Sequence, residues 1–180
     1  MANPSSVSRR MESAIRHLVA REYEQGLIHL VPAIDKTASR RWPKAKVGER
    51  FRSFIDDDDA LLTLLATGSV ITGLTVDGQT IGGVLYKLMR TTIAHEGELD
   101  SRLEFAETGE LLLGRDKWTL PVTFIWAMCV LVIVAPENEA EHIGPAFRVS
   151  LLGRGRAIDD LWGQADAVRA EAMAQFFRDP

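Results

Sequence analysis

Apolar residues recur every three or four positions along most of the chain, the period of helices that bury one face. Ala14, Ile15, Leu18 and Tyr23 predict a first helix over 9–24, preceded by a loose tail at 1–8. Gly26 marks a break. Leu27, Leu30, Val31, Ile34 and Ala38 then carry the pattern to Arg41, with Pro32 kinking this helix or starting a new one. Trp42-Pro43 closes it. Phe51, Phe54 and Ile55, then Leu61, Leu62, Leu64 and Leu65, mark helical faces on either side of the acidic run Asp56 to Asp59. Gly68, Gly73 and Gly78 make 67–79 a loop, and Asp77 is placed to cap the next helix. In that helix Ile81, Val84, Leu85, Leu88 and Ile93 share one stripe, and Gly97 suits its end.

The pattern changes after Gly97. Leu103 to Ala106 and Leu111 to Leu113 are short apolar runs flanking Glu107-Thr108-Gly109, which predicts a β-hairpin. Thr119 as cap and Pro121 in the first turn predict a helix over 120–135, with a strand as the alternative because of its Val and Ile content. Phe147 to Leu152 reads as a short strand. Ile158, Leu161, Trp162, Ala165, Val168, Ala172 and Phe176 predict a last helix over 157–177. The fold class is mainly α: a helical bundle with a small β-hairpin inserted after the 81–97 helix, one domain over 9–180.

Composition narrows the function. The 180 residues are 46% hydrophobic and 26% charged, with a net charge of −4. That balance excludes a uniformly basic nucleic-acid binder but leaves room for a local patch. Cys129 is the single cysteine, so no intrachain disulfide or cysteine zinc site can form. The uncharged run Leu120 to Ala135 is shorter than the roughly 20 residues of a membrane span, and no secretory signal is visible. These features place the chain in the cytoplasm with no membrane partner. Consecutive carboxylates at Asp56 to Asp59 would point in different directions on a helix, and His29 and His142 lack ligand-like companions. No metal and no cofactor is expected. Gly153-Arg154-Gly155 lacks the remaining elements of a nucleotide loop.

The chemistry-bearing segment is Arg90-Thr91-Thr92-Ile93-Ala94-His95. Guanidinium suits phosphate, and imidazole titrates near neutrality. With 16 arginines and four histidines, an interval of four to six residues between the two types arises about once by chance, and Arg10 with His17 is a second match. Context favours Arg90 and His95, which close a helix just before Glu96-Gly97-Glu98. The stretch from Leu85 to Gly97 resembles the signature helix of the HEPN superfamily. Leu30-Val31-Pro32-Ala33-Ile34-Asp35 and Arg41-Trp42-Pro43 with Val47-Gly48-Glu49-Arg50-Phe51 are similar to stand-alone members. The resemblance covers about residues 12–135 and implies a homodimer with the two motifs facing one cleft, many members being RNA-cleaving toxins or RNA-processing factors.

By that resemblance Arg90 and His95 are the catalytic pair of a metal-independent endoribonuclease. His95 would act as base or acid at the 2′-hydroxyl or leaving group, and Arg90 would stabilise charge on the phosphate. Thr91 stands where the family most often has Asn, His or Asp; a threonine cannot serve as acid, base or amide donor. Lys87 and Thr91, with Arg40 and Arg41 at the head of the basic run 40–52, are the candidate substrate-binding residues. Five residues of straight helix turn about 500°, which leaves Arg90 and His95 about 140° apart, so a distorted helix or a second chain must bring them together. Phase also sets His95 about 20° from Leu88, on the apolar stripe. The competing reading is a non-catalytic interaction or regulatory module, for example the protein partner in a toxin–antitoxin pair, with Arg90 and His95 structural.

Overall fold

A computed structural model describes residues 5–107 and 111–178. Ser5 accepts hydrogen bonds from the Val7 and Ser8 amides and so starts the first helix at Ser6, inside the stretch expected as a tail. The Ser6–Val19 helix buries Val7, Met11, Ala14, Ile15 and Leu18. Arg21, with φ +62°, turns the chain into the Tyr23–Arg41 helix. Gly26 is not a break but a contact: a Cβ there would sit 2.6 Å from Leu18 Cδ2. Pro32 lies inside this helix and neither starts nor ends it. A mid-helix proline costs about 3 kcal/mol. Burial of Leu27, Leu30, Val31, Ala33, Ile34 and Ala38 around it offsets that cost.

Two shorter helices follow, Val47–Asp56 and Asp59–Thr67, burying Phe51, Phe54, Ile55, Leu61, Leu62 and Leu64. The intervening acids diverge. Asp58 binds Arg169, and Asp59 accepts from the Gly73 amide. Asp56 accepts from the Gly82 amide and the Thr80 hydroxyl, so it braces the start of the next helix from outside. Thr80 is the cap of that helix, through the Gly83 amide. Asp77 is not. It forms, with Gly78, the left-handed turn of a two-strand ribbon, Thr75–Val76 against Gln79–Thr80, within the expected loop.

The motif helix runs as three consecutive segments: α-helical Ile81–Leu85, π-helical Tyr86–Arg90 and α-helical Thr91–Glu96. In the π turn the Thr91 amide bonds to the Tyr86 carbonyl, five residues back. Gly97, with φ +78°, ends the helix, its amide reaching Thr92 and Ile93.

The expected 103–113 hairpin does not form. Leu103–Ala106 pairs in parallel with Trp118–Pro121, and Leu112–Leu113 pairs antiparallel with that same strand. The expected turn residues Thr108 and Gly109 lie outside the described residues. Trp118 and Leu120 are buried while Thr119 and Pro121 are half-buried, a period of two that makes this segment the middle strand. Thr119 and Pro121 therefore belong to a strand, and the helix that follows is Thr123–Val134. It is buried on almost every side, from Phe124 to Val134, and forms the axis of a single hydrophobic cluster.

The expected strand at 147–152 is Arg148–Leu151, paired with Arg154–Ala157 as a hairpin. The expected 157–177 helix is shortened from its start. Ile158–Asp160 makes one 3-10 turn and the helix proper is Ala165–Phe176. Gly163 separates them with φ +76°, and a Cβ there would lie 2.6 Å from Glu139 Cβ. The architecture is mainly helical with small sheets. Among the described residues, no helix is long and apolar enough to cross a membrane.

Candidate functional site

Arg90 leaves the motif helix toward Asp35 on the Tyr23–Arg41 helix. Its Nε and Nη2 both donate to Asp35 Oδ2, at 3.1 and 3.0 Å. Both side chains are about four-fifths buried, and Asp35 Oδ1 has no donor among the described residues. The guanidinium also lies 5.8 Å from the centre of the Tyr86 ring.

His95 is exposed, against the expectation that it lies on the apolar stripe. The π turn explains the difference. It inserts one residue, which shifts everything downstream by about 100° of helical phase. The stripe continues through Met89, Thr92 and Ile93, and His95 turns outward. Thr92 fits the apolar face because its hydroxyl bonds to the Leu88 carbonyl. Arg90 and His95 both lie at or beyond the end of the π turn, so it does not bring them together within one chain.

The other expected site residues divide into two groups. Arg41 makes a two-pronged pair with Glu137, Nε to Oε1 at 2.7 Å and Nη2 to Oε2 at 3.0 Å. Arg40 binds Asn138 Oδ1 at 2.6 Å and Glu141 Oε1 at 2.8 Å. Both arginines fasten the second helix to the 136–141 connection. Burial alone would raise the Glu137 and Glu141 carboxyls. Hydrogen bonds from Arg41 to the first, and from Ser5, Ser8 and Arg40 to the second, outweigh burial and leave both below the ordinary glutamate range.

Lys87 and Thr91 do come together. With Arg52, Tyr86, Gln79 and Thr80 they line an open groove of about 490 Å³ beside the motif helix. The Thr91 hydroxyl bonds to the Tyr86 carbonyl at 2.9 Å, inside the π turn. Arg52 lies 5.5 Å from the Tyr86 ring centre. Gly48 lets the tyrosine pack down, since a Cβ there would be 2.9 Å from Tyr86 Cζ. Among the described residues neither Arg52 nor Lys87 has a carboxylate within ion-pair distance, whereas Arg40, Arg41 and Arg90 all do. The groove therefore has two cations without an ion-pair partner among the described residues, flanking a half-buried aromatic ring. Such a surface can hold a phosphate and stack a planar group. Cys129 contributes no chemistry: burial pushes its thiol far up. No three His, Cys, Asp or Glu side chains among the described residues are grouped to hold a metal ion.

A model of the Rv1289 family matches residues 6–178. The chain belongs to the Rv1289 family. Similar relatives are "Uncharacterized protein Rv1289" of Mycobacterium tuberculosis H37Rv and "Uncharacterized protein Mb1320" of Mycobacterium bovis. Each is 25% identical over 181 residues, covering 91% of this chain and 86% of the relative. No solved structure matches.

Sequence reasoning about this Rv1289-family chain missed Asp35 as the partner of Arg90 and Tyr86 with Arg52 as groove walls. Arg52 was visible only as one member of the basic run 40–52. Its separation from that run follows from partner choice: Arg40 and Arg41 find acids across the fold, which no local spacing encodes.

Proposed function

We propose that this chain is a HEPN-like RNA-binding protein that takes a phosphate–ribose segment in the groove of Arg52, Tyr86, Lys87 and Thr91, with Arg90 serving as a structural strut. The observation that carries the reading is the pair of cations beside Tyr86, Arg52 and Lys87, which have no ion-pair partner among the described residues, on a chain whose net charge is −4. A phosphate between Arg52 and Lys87 would release counterions, and an unstacked base could lie on the ring.

The test is binding of a short unstructured single-stranded RNA, followed by fluorescence anisotropy over a salt series. Lys87→Ala and Arg52→Ala each weaken binding, and each lowers the log–log salt slope by about 0.7, the single-strand value per phosphate. Lys117→Ala, which removes a cation paired with Glu104, leaves both unchanged. Absence of binding, or equal loss from all three variants, overturns the reading.

The exposure of His95 at a free helix end favours one second reading, a metal-independent endoribonuclease. In a homodimer, His95 of one copy and Arg90 of the other would share a cleft. His95 would take the 2′-hydroxyl proton, the 2′-oxygen would attack phosphorus, and the P–O5′ bond would break as the 5′-oxygen regains a proton. The products are a 2′,3′-cyclic phosphate and a 5′-hydroxyl. RNA cleavage without added metal, lost in His95→Ala, carries that reading; equal activity from both proteins, or none from either, ends it. A module that binds a toxin or antitoxin protein through this face would show neither RNA binding nor cleavage.

A further inference from the structure

A second cleft, of about 470 Å³, shares no lining residue with the first and lies between the Asp59–Thr67 helix, the Thr123–Val134 helix and the Arg148–Leu151 strand. Its volume falls within the range of small-molecule sites, roughly 300–1,000 Å³. The floor and walls are apolar: Leu64, Trp126, Val130, Val149 and Leu151. Trp126 is half-buried there, although its neighbours on the same helix are nearly all closed off.

The mouth is polar and one-sided in charge. All four residues of the Arg148–Leu151 strand line the cleft, Val149 and Leu151 the more buried and Arg148 and Ser150 exposed at its rim. Three arginines sit on this hairpin. Arg154 and Arg156 are both paired with Glu171, on the last helix. Arg148 is not: its Nη2 donates to the Gly155 carbonyl at 3.1 Å, and no carboxylate among the described residues reaches it. Leu152, also on the cleft, is held at φ +52°, a left-handed conformation that branched apolar residues rarely adopt. Leu152, at the hairpin turn, and Arg148, without a carboxylate partner among the described residues, thus both line the apolar cleft.

We propose that this cleft binds an anionic amphiphile, a medium-chain monocarboxylate whose tail lies against Trp126, Val130 and Leu64 and whose carboxylate is taken by Arg148 and Ser150. Charge complementarity selects this occupant. An uncharged hydrocarbon would leave Arg148 unanswered, and a cationic amphiphile would meet it head-on. The site is independent of the groove beside the motif helix, so either can fail without the other.

The experiment is titration of the full chain with sodium decanoate, read by the part of the tryptophan fluorescence that Trp126→Phe removes and by calorimetry. Decanol and decyltrimethylammonium run in parallel, all held below micelle formation and up to about 1 mM, the regime of weak but specific binding. Decanoate saturates one site, shifts tryptophan emission and raises the melting temperature, as any native-state ligand must. Arg148→Gln, at an exposed position, keeps the far-UV circular dichroism of the wild type and weakens decanoate about tenfold, while decanol binding is unchanged. Leu65→Gln, on the apolar rim, weakens decanoate and decanol alike. No saturable decanoate binding, equal decanoate affinity in Arg148→Gln, or tighter binding of the cation overturns the proposal.

Discussion

Removing Asp35 and Arg90 separately and together measures how far the motif arginine is committed to holding the fold. Two charge-assisted hydrogen bonds converge on one oxygen, Asp35 Oδ2, from side chains that are 19% and 21% exposed. Fully exposed pairs contribute about 0–1 kcal/mol, and breaking a fully buried pair costs about 3–5 kcal/mol. At one-fifth exposure each single variant, Asp35→Ala or Arg90→Ala, is expected to lose about 2 kcal/mol. The second substitution removes a group already stranded by the first, so the double variant loses about 2.5 kcal/mol and the coupling is about 1.5 kcal/mol. Urea unfolding followed by circular dichroism gives these values, and each single variant melts about 4–8 °C lower at this chain length. RNA affinity of Asp35→Ala does not fall, because Arg90 is then released beside Tyr86. A coupling below about 0.5 kcal/mol would refute the assignment of Arg90 as a strut.

Two further outcomes follow from the geometry. Gly82→Ala puts a Cβ 2.7 Å from the Arg52 carbonyl and 2.6 Å from Asp56 Oδ1, so backbone must move; a loss of about 2–3 kcal/mol in denaturant unfolding is expected. Glu137 and Glu141 hold their protons less tightly folded than unfolded, so their contribution is complete above the ordinary glutamate value of about 4.3 and disappears as pH falls through their lower folded values. Stability measured across that acid window drops less steeply in Glu141→Gln than in wild type, and an unchanged slope would show that the Ser5–Ser8–Glu141–Arg40 cluster does not drive acid lability.

Helices whose residues alternate between core and solvent were legible in the sequence, because periodicity reports burial directly. Gly97 was likewise readable as a helix end. The region 103–121 was not, since strand partners are chosen by tertiary contact: Trp118–Pro121 inserts between two runs that look like a hairpin on local grounds. The last helix was overextended because Leu161 and Trp162 are buried in an irregular segment at positions that happen to fit its period. At the site, residue types were readable and their partners were not. Nothing in the spacing near Arg90 indicates Asp35, 55 positions away. Nor does the run 40–52 reveal that Arg40 and Arg41 are occupied across the fold while Arg52 is left open.

The extra residue in the Tyr86–Arg90 turn makes counting along this helix an unreliable ruler. Two relatives could carry the same Arg-x4-His interval and still present the histidine in directions about 100° apart, if one has the insertion and the other does not. Conversely, deleting a single residue there would change no chemical group at the C-terminal end, yet it would turn His95 by about 100°, back toward the apolar stripe. Gaps in this turn, when members of the family are aligned, therefore carry as much chemical meaning as the identities of the residues that follow it.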